Sequence, residues 1–173
     1  MRGFARIAGI ALLAAACHGG EAAKQIPPFD ASAFIVTTAG LARSDVDLGD
    51  LALRKARLPE TRQLGAIVAV EQRTLLAALE PLAQRRKIVI PVVLEDRRAA
   101  LHQNLSMLQG QLFDRAWALA MVQDYDAILR GLGAASKSGH DDLRAFAARV
   151  RPTISARRTD AGELLARLGG TPF

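Results

Sequence analysis

The 173-residue chain carries 23 lysines and arginines against 17 acids, and half of its residues are apolar, but only 5% are aromatic. A nucleic-acid groove needs clustered cations interleaved with stacking rings; here runs such as QRRK are interleaved with acids elsewhere, so nucleic acid is not the expected partner. A single cysteine rules out an internal disulfide framework.

The chain opens on MRGFARIAGIALLAAAC, with Arg2 and Arg6 ahead of an apolar run from Ile7 to Ala16. That run is too short to span a bilayer, so residues 1–16 read as a secretory signal rather than a membrane helix. LAAAC resembles the bacterial lipobox, in which the cysteine is acylated and becomes the new N-terminus. Leucine is usual three residues before that cysteine, and Ala14 stands there instead. Cys17 is thus the expected lipidation site, and several acyl chains would make a stable anchor, each buried CH₂ contributing roughly 0.8 kcal/mol. His18 follows, rather than the aspartate associated with inner-membrane retention, so the resemblance favours the outer membrane, facing the periplasm. Residues 17–29, including GGEAAKQIPPF, read as lipidated N-terminus and tether. Residues 30–173 suffice for one domain with its own core.

Apolar periodicity predicts helices throughout that domain. Asp30 is a good N-cap for a helix over 31–57, with Phe34, Thr38, Leu41, Asp45, Leu48 and Ala52 inward. Pro59 and Glu60 suit the first turn of a second helix, 59–87, with Leu64, Val68, Gln72, Leu75, Leu79 and Leu82 inward. Pro81 is expected to kink it or end it early. VIPVV is β-branched, but it has no visible partner strand and Pro91 interrupts it, so it reads as an extended connection. A short helix over 95–108 directs Leu101, Leu105 and Leu108 inward. A fourth, 111–132, carries Phe113, Trp117, Met121, Tyr125, Ile128 and Leu132. GLGAASKSGHDD reads as a loop. The last helix, 141–168, carries Leu143, Phe146, Val150, Ile154, Arg157, Ala161, Leu164 and Leu168, with a bend expected at Pro152. The fold class is therefore all-α: an up-down bundle of four long helices, with a short extra helix in the crossover connection.

Each long helix places one polar residue near the middle of its inner stripe: Asp45, Gln72, Tyr125 and Arg157. Helix midpoints share a height in an antiparallel bundle, so these four are expected as one buried polar cluster. Arg157 is expected to pair with Asp45, because an unpaired buried charge costs several kcal/mol. Gln72 and Tyr125 would satisfy the remaining donors and acceptors.

Three segments, AGLARSDVDLGDLALRKA, FDRAWALAMVQDY and LRAFAARVRPTI, carry a family resemblance that extends from Phe34 to Leu168. The chain resembles a ferritin-like family of bacterial secreted proteins of undefined function, often described as predicted outer-membrane proteins. The resemblance implies a ferritin-like bundle. It also implies a glutamate on the first helix and histidines at three inner positions, where this chain has Asp45, Gln72, Tyr125 and Arg157. The implied metal-ligand pattern is thus lost here. Dinuclear ferritin-like sites use glutamates with Glu-x-x-His pairs, and the sequence has no such pair. His18, His102 and His140 lie away from the inner stripes, and a permanent guanidinium at Arg157 would repel a divalent ion.

No catalytic residue is assigned. Serines and threonines lack a His–Asp arrangement, and there is no glycine-rich phosphate loop and no Cys–His pair. Glu71, Asp114, Asp124 and Asp126 are expected to be solvated, with Asp114 favouring the positive end of the fourth helix. The reading is a non-enzymatic, lipid-anchored envelope protein with no cofactor. Its partners are the membrane, through the N-terminal lipid, and an envelope protein. The alternatives are a ferritin-like metal binder using Asp45, Glu71 and Asp124, and a small-molecule binder in the polar core.

Overall fold

The computed structural model describes residues 29–169. The signal segment, Cys17, the tether up to residue 28 and the last four residues lie outside the described residues. Five helices follow in order: α1 (Ala31–Lys55), α2 (Pro59–Arg85), α3 (Asp96–Met107), α4 (Gly110–Ala135) and α5 (Asp141–Arg167).

Local chemistry sets the helix ends. Asp30 accepts hydrogen bonds from the backbone N–H groups of Ser32 (2.8 Å) and Ala33 (2.9 Å), satisfying two donors that the first turn of α1 leaves free. Pro59 opens α2, where its missing N–H costs nothing. Lys87 takes the left-handed conformation (φ 55°) that stops α2, and the N–H of Ile88 turns back onto the carbonyl of Ala83. α2 continues past Pro81 to Arg85, and α5 runs through Pro152. α4 reaches Ala135 rather than stopping at Leu132. Burial of Leu132 and Ala135 outweighs the glycine penalty there.

α1 packs chiefly against α2, and α4 against α5; α1 also meets α4, and α2 meets α5, closing a four-helix square. One end gathers the end of α1 and the starts of α2 and α4, because Asp114 accepts from the backbone N–H groups of Arg57 (3.1 Å) and Leu58 (3.2 Å). The opposite end joins the end of α2 to the start of α5 through Arg86 and Asp142, 2.6 and 2.8 Å apart. That ion pair holds the Asp142 carboxyl well below the usual aspartate range. The chain must therefore return along the bundle between α2 and α4. The extended stretch Ile88–Glu95 and α3 make that crossover, and α3 lies against α1 and α4.

The tightest seam is between α1 and α2. A Cβ on Gly49 would lie 2.6 Å from the Gly65 carbonyl oxygen and 2.9 Å from the Ala69 nitrogen. The two helices therefore touch backbone to backbone. Across the square, the indole N–H of Trp117 donates to the Leu48 carbonyl at 2.9 Å, and the ring is fully buried. This bond pins the register of α4 on α1, and register determines which polar side chains meet in the interior. No helix among the described residues is long and apolar enough to cross a membrane.

Candidate functional site

Asp45, Gln72 and Tyr125 are 0, 1 and 0% exposed. The helices bring them together as the shared mid-helix height suggests, and Tyr125 feels both the Asp45 charge and the Gln72 amide. Arg157 is different. Its side chain stays 23% exposed and pairs with Glu71 (3.0 Å) and with Asp160 one turn along α5, not with Asp45. The expected Asp45–Arg157 pair is corrected on that geometry. Arg157 sits at the edge of the α5 stripe, where its long stem carries the guanidinium to the α2–α5 rim and two carboxylates reach it in a wetter setting.

The contact with Glu71 is one of charge more than of aligned donors, since among the described residues neither Arg157 Nε nor Glu71 Oε2 completes a hydrogen bond. Burial pushes the Glu71 carboxyl up, and the neighbouring Arg157 only partly offsets this. Because Arg157 and Asp45 have separate partners, Asp45→Leu and Arg157→Met are expected to act additively. The double variant should match the sum of the singles within about 0.5 kcal/mol in denaturant melts, the usual margin for uncoupled sites. A larger coupling would restore the direct pair.

The neighbours Asp45 does meet are Asp124, from α4, and beyond it Arg98, from α3. Asp124 is 4% exposed and bonds the Arg98 guanidinium at 2.5 Å. Neither Asp124 nor Arg98 belongs to the expected cluster. Asp124 is hidden because α3 covers this side of α4, a placement that a four-helix stripe does not register. Among the described residues, no protein donor reaches either Asp45 oxygen or the second Asp124 oxygen. Two carboxylates facing one guanidinium would leave a net buried negative charge, which a low-dielectric interior strongly disfavours. One retained proton removes it. Burial first, and the Asp124 charge second, push the Asp45 carboxyl well above its ordinary value, against a smaller opposing pull from Arg98. A protonated Asp45 can donate to Asp124, which then accepts from both sides.

Tyr125 lies on the other flank of Asp45, its hydroxyl without a hydrogen-bond partner among the described residues. Burial, then the Asp45 charge, raise its phenol above the ordinary value, so it remains a neutral donor. The Gln72 amide faces it closely enough to favour the phenolate slightly, yet no direct hydrogen bond forms between them. A phenol held this firmly protonated is a poor proton donor in catalysis.

Asp114 has a different role from the one expected. It does not serve its own helix but caps the α1–α2 turn, as described above. FDRAW therefore carries two structural ties, Asp114 to that turn and Trp117 to Leu48. Asp126 pairs with Arg158 of α5 at 2.9 Å. Asp124 and Arg98 line a groove of about 560 Å³ between α3 and α4, together with Arg97, Asn104, Gln123 and Arg130. Asp45, Gln72 and Tyr125 lie behind this pair and do not reach the groove. Among the described residues, no set of three His, Cys, Asp or Glu side chains is arranged to hold a metal ion.

A helical bundle with a closed polar centre and a crossover helix is the class of protein this geometry defines. The chain belongs to the family described as Domain of unknown function (DUF4142), whose model matches residues 15–164. Its fold is similar to that of a Streptomyces coelicolor protein described as secreted, DUF305. The TM-score is 0.66 at 13% identity, over 83% of this chain and 97% of that one. No curated protein matches the chain.

Proposed function

We propose that the chain is an exported, lipid-anchored envelope protein whose ferritin-like bundle is non-catalytic and docks a partner at the periplasmic face of the outer membrane. The observation that carries this reading is an inversion along the crossover. Asp45 and Tyr125 at the centre are shut away from solvent, while Val89, Val92 and Val93 on the outside are 84, 77 and 78% exposed. A substrate could not touch Asp45 or Tyr125 without opening the bundle, whereas whatever surface meets the crossover, protein or lipid, finds apolar side chains at once. The single crossover connection supports the ferritin-like assignment. The lipobox-like LAAAC supports the anchor, and the likeness to a protein described as secreted agrees with export.

Growth with labelled palmitate tests the anchor. Wild-type chain should incorporate label and fractionate with outer membrane, and Cys17→Ala should do neither. Unlabelled wild type would overturn the reading.

A second reading, metal binding by Asp45 and Asp124 with Glu71, draws on the carboxylate oxygens that lack protein donors. Glu71 is engaged by Arg157 instead, and Arg98 already neutralises Asp124. Stoichiometric iron, manganese or zinc that Asp45→Asn abolishes would favour this second reading over the first.

A further inference from the structure

The crossover between α2 and α3 is unusual for an exposed connection. Ile88 and Ile90 turn partly inward, while Val89, Val92 and Val93 point to solvent. Most loops carry polar residues there, and a cluster of large exposed apolar side chains marks a contact surface. Among the described residues, no backbone–backbone hydrogen bond is donated by Val89, Ile90, Val92, Val93 or Leu94, and Pro91 has no N–H to offer a partner strand. Pairing with another strand is therefore poorly served, and the side chains are what this strap presents.

Its place in the fold says what it meets. Phe29, Ile88 and Val89 line the same shallow groove, so the strap begins where the chain enters the bundle. Phe29 lies only twelve positions after Cys17, and such a stretch can span at most about 40 Å. A lipid on Cys17 therefore keeps this end within about 40 Å of the bilayer. Charge along the strap agrees in direction. Lys87 is exposed at the tether end, suited to anionic headgroups, whereas at the far end the exposed Glu95 and Asp96 outnumber the exposed Arg97.

Resting on the lipid-anchor reading above, we propose that Val89, Val92 and Val93 embed in the headgroup region of the lipid surface, a second contact that fixes how the bundle sits on the membrane. The anchor supplies a high local concentration, so a contact too weak to bind alone becomes populated.

The test uses the full chain with its native N-terminus, reconstituted in phosphatidylethanolamine–phosphatidylglycerol vesicles that contain spin-labelled lipid. Val93→Cys and, as the opposite-end control, Leu112→Cys each carry a polarity-sensitive fluorophore; both positions are exposed, so neither substitution touches the core. Palmitate incorporation is measured on the same preparations, and circular dichroism checks the fold. Lipidated chain should be quenched several-fold more strongly at position 93 than at 112. Adding Val89→Ser and Val92→Ser should bring position 93 down to the control level. Lipidated chain with equal, weak quenching at both positions would overturn the strap contact and leave the anchor standing. Crosslinking from position 93 to a protein in intact cells, without lipid quenching, would assign the strap to a protein partner and overturn the lipid contact. Absence of palmitate would overturn both.

Discussion

Gly49→Ala is expected to lower the melting temperature, although alanine is the better helix former. A methyl group there would press on the Gly65 carbonyl and the Ala69 nitrogen, backbone atoms that cannot swing aside. Overpacking of this kind costs about 1–3 kcal/mol, and the intrinsic gain of alanine over glycine offsets at most about 1 kcal/mol. In a domain of this size 1 kcal/mol corresponds to roughly 2–4 °C. Gly40 lies on the same helix, and among the described residues nothing comes within 4 Å of where a Cβ would stand. Gly40→Ala should therefore stabilise, by roughly 0.5–1 kcal/mol. Opposite signs for one substitution at two places on α1 would establish the close α1–α2 seam, and equal signs would refute it. A calorimetric scan of both variants reads the result directly.

Asp45→Asn is expected to stabilise the protein above the ordinary aspartate range and to change little below it. The folded carboxyl keeps its proton at pH values where the unfolded chain has lost it, so folding takes up a proton. Wild-type stability should then fall as pH climbs from about 4, the ordinary aspartate value, through the raised folded value, with a slope of up to about 1.4 kcal/mol per pH unit. Asparagine imitates the protonated acid, can still donate toward Asp124, and does not ionise, so the variant should lack that slope. The charged and polar groups around Asp45 are Asp124 and Tyr125 from α4, Arg98 from α3 and, through Tyr125, Gln72 and Glu71 from α2 and Arg157 from α5. Glu71, also raised, contributes in the same direction and survives in the variant as a smaller slope. Asp142, held low by Arg86, acts oppositely, but its window closes below pH 4 and does not overlap. Denaturant melts of both chains from pH 4 to pH 9 would show the divergence.

Much of the fold was legible because it depends on periodicity. Phe34, Leu48, Val68, Leu79, Trp117 and Ile128 repeat at three- and four-residue steps and are all buried. Asp30, Pro59 and the acids of the last helix mark their own helix starts. The three inner polar positions Asp45, Gln72 and Tyr125 were visible for the same reason: they interrupt apolar stripes at one height. Partner choice was not visible. Spacing tells which way Arg157 leaves its helix, but not that Glu71 and Asp160 lie closer to its long side chain than Asp45 does. Nor does spacing show that a short, weakly amphipathic helix will lie over Asp124 and supply Arg98. That depends on the path of the crossover, a tertiary fact with no local signature. Asp114 illustrates the same limit, since its partners lie more than fifty residues earlier in the chain.

At the centre of the bundle, a single guanidinium from the crossover helix serves two hidden carboxyl groups, one of which stays neutral. Carbon-13 NMR of the aspartate side chains, with Asp45 assigned by comparison with Asp45→Asn, follows that proton directly. The Asp45 carboxyl resonance should hold its protonated position through the range in which exposed aspartates ionise, and move only at higher pH. A resonance that titrates with those exposed aspartates, or below them, would contradict it.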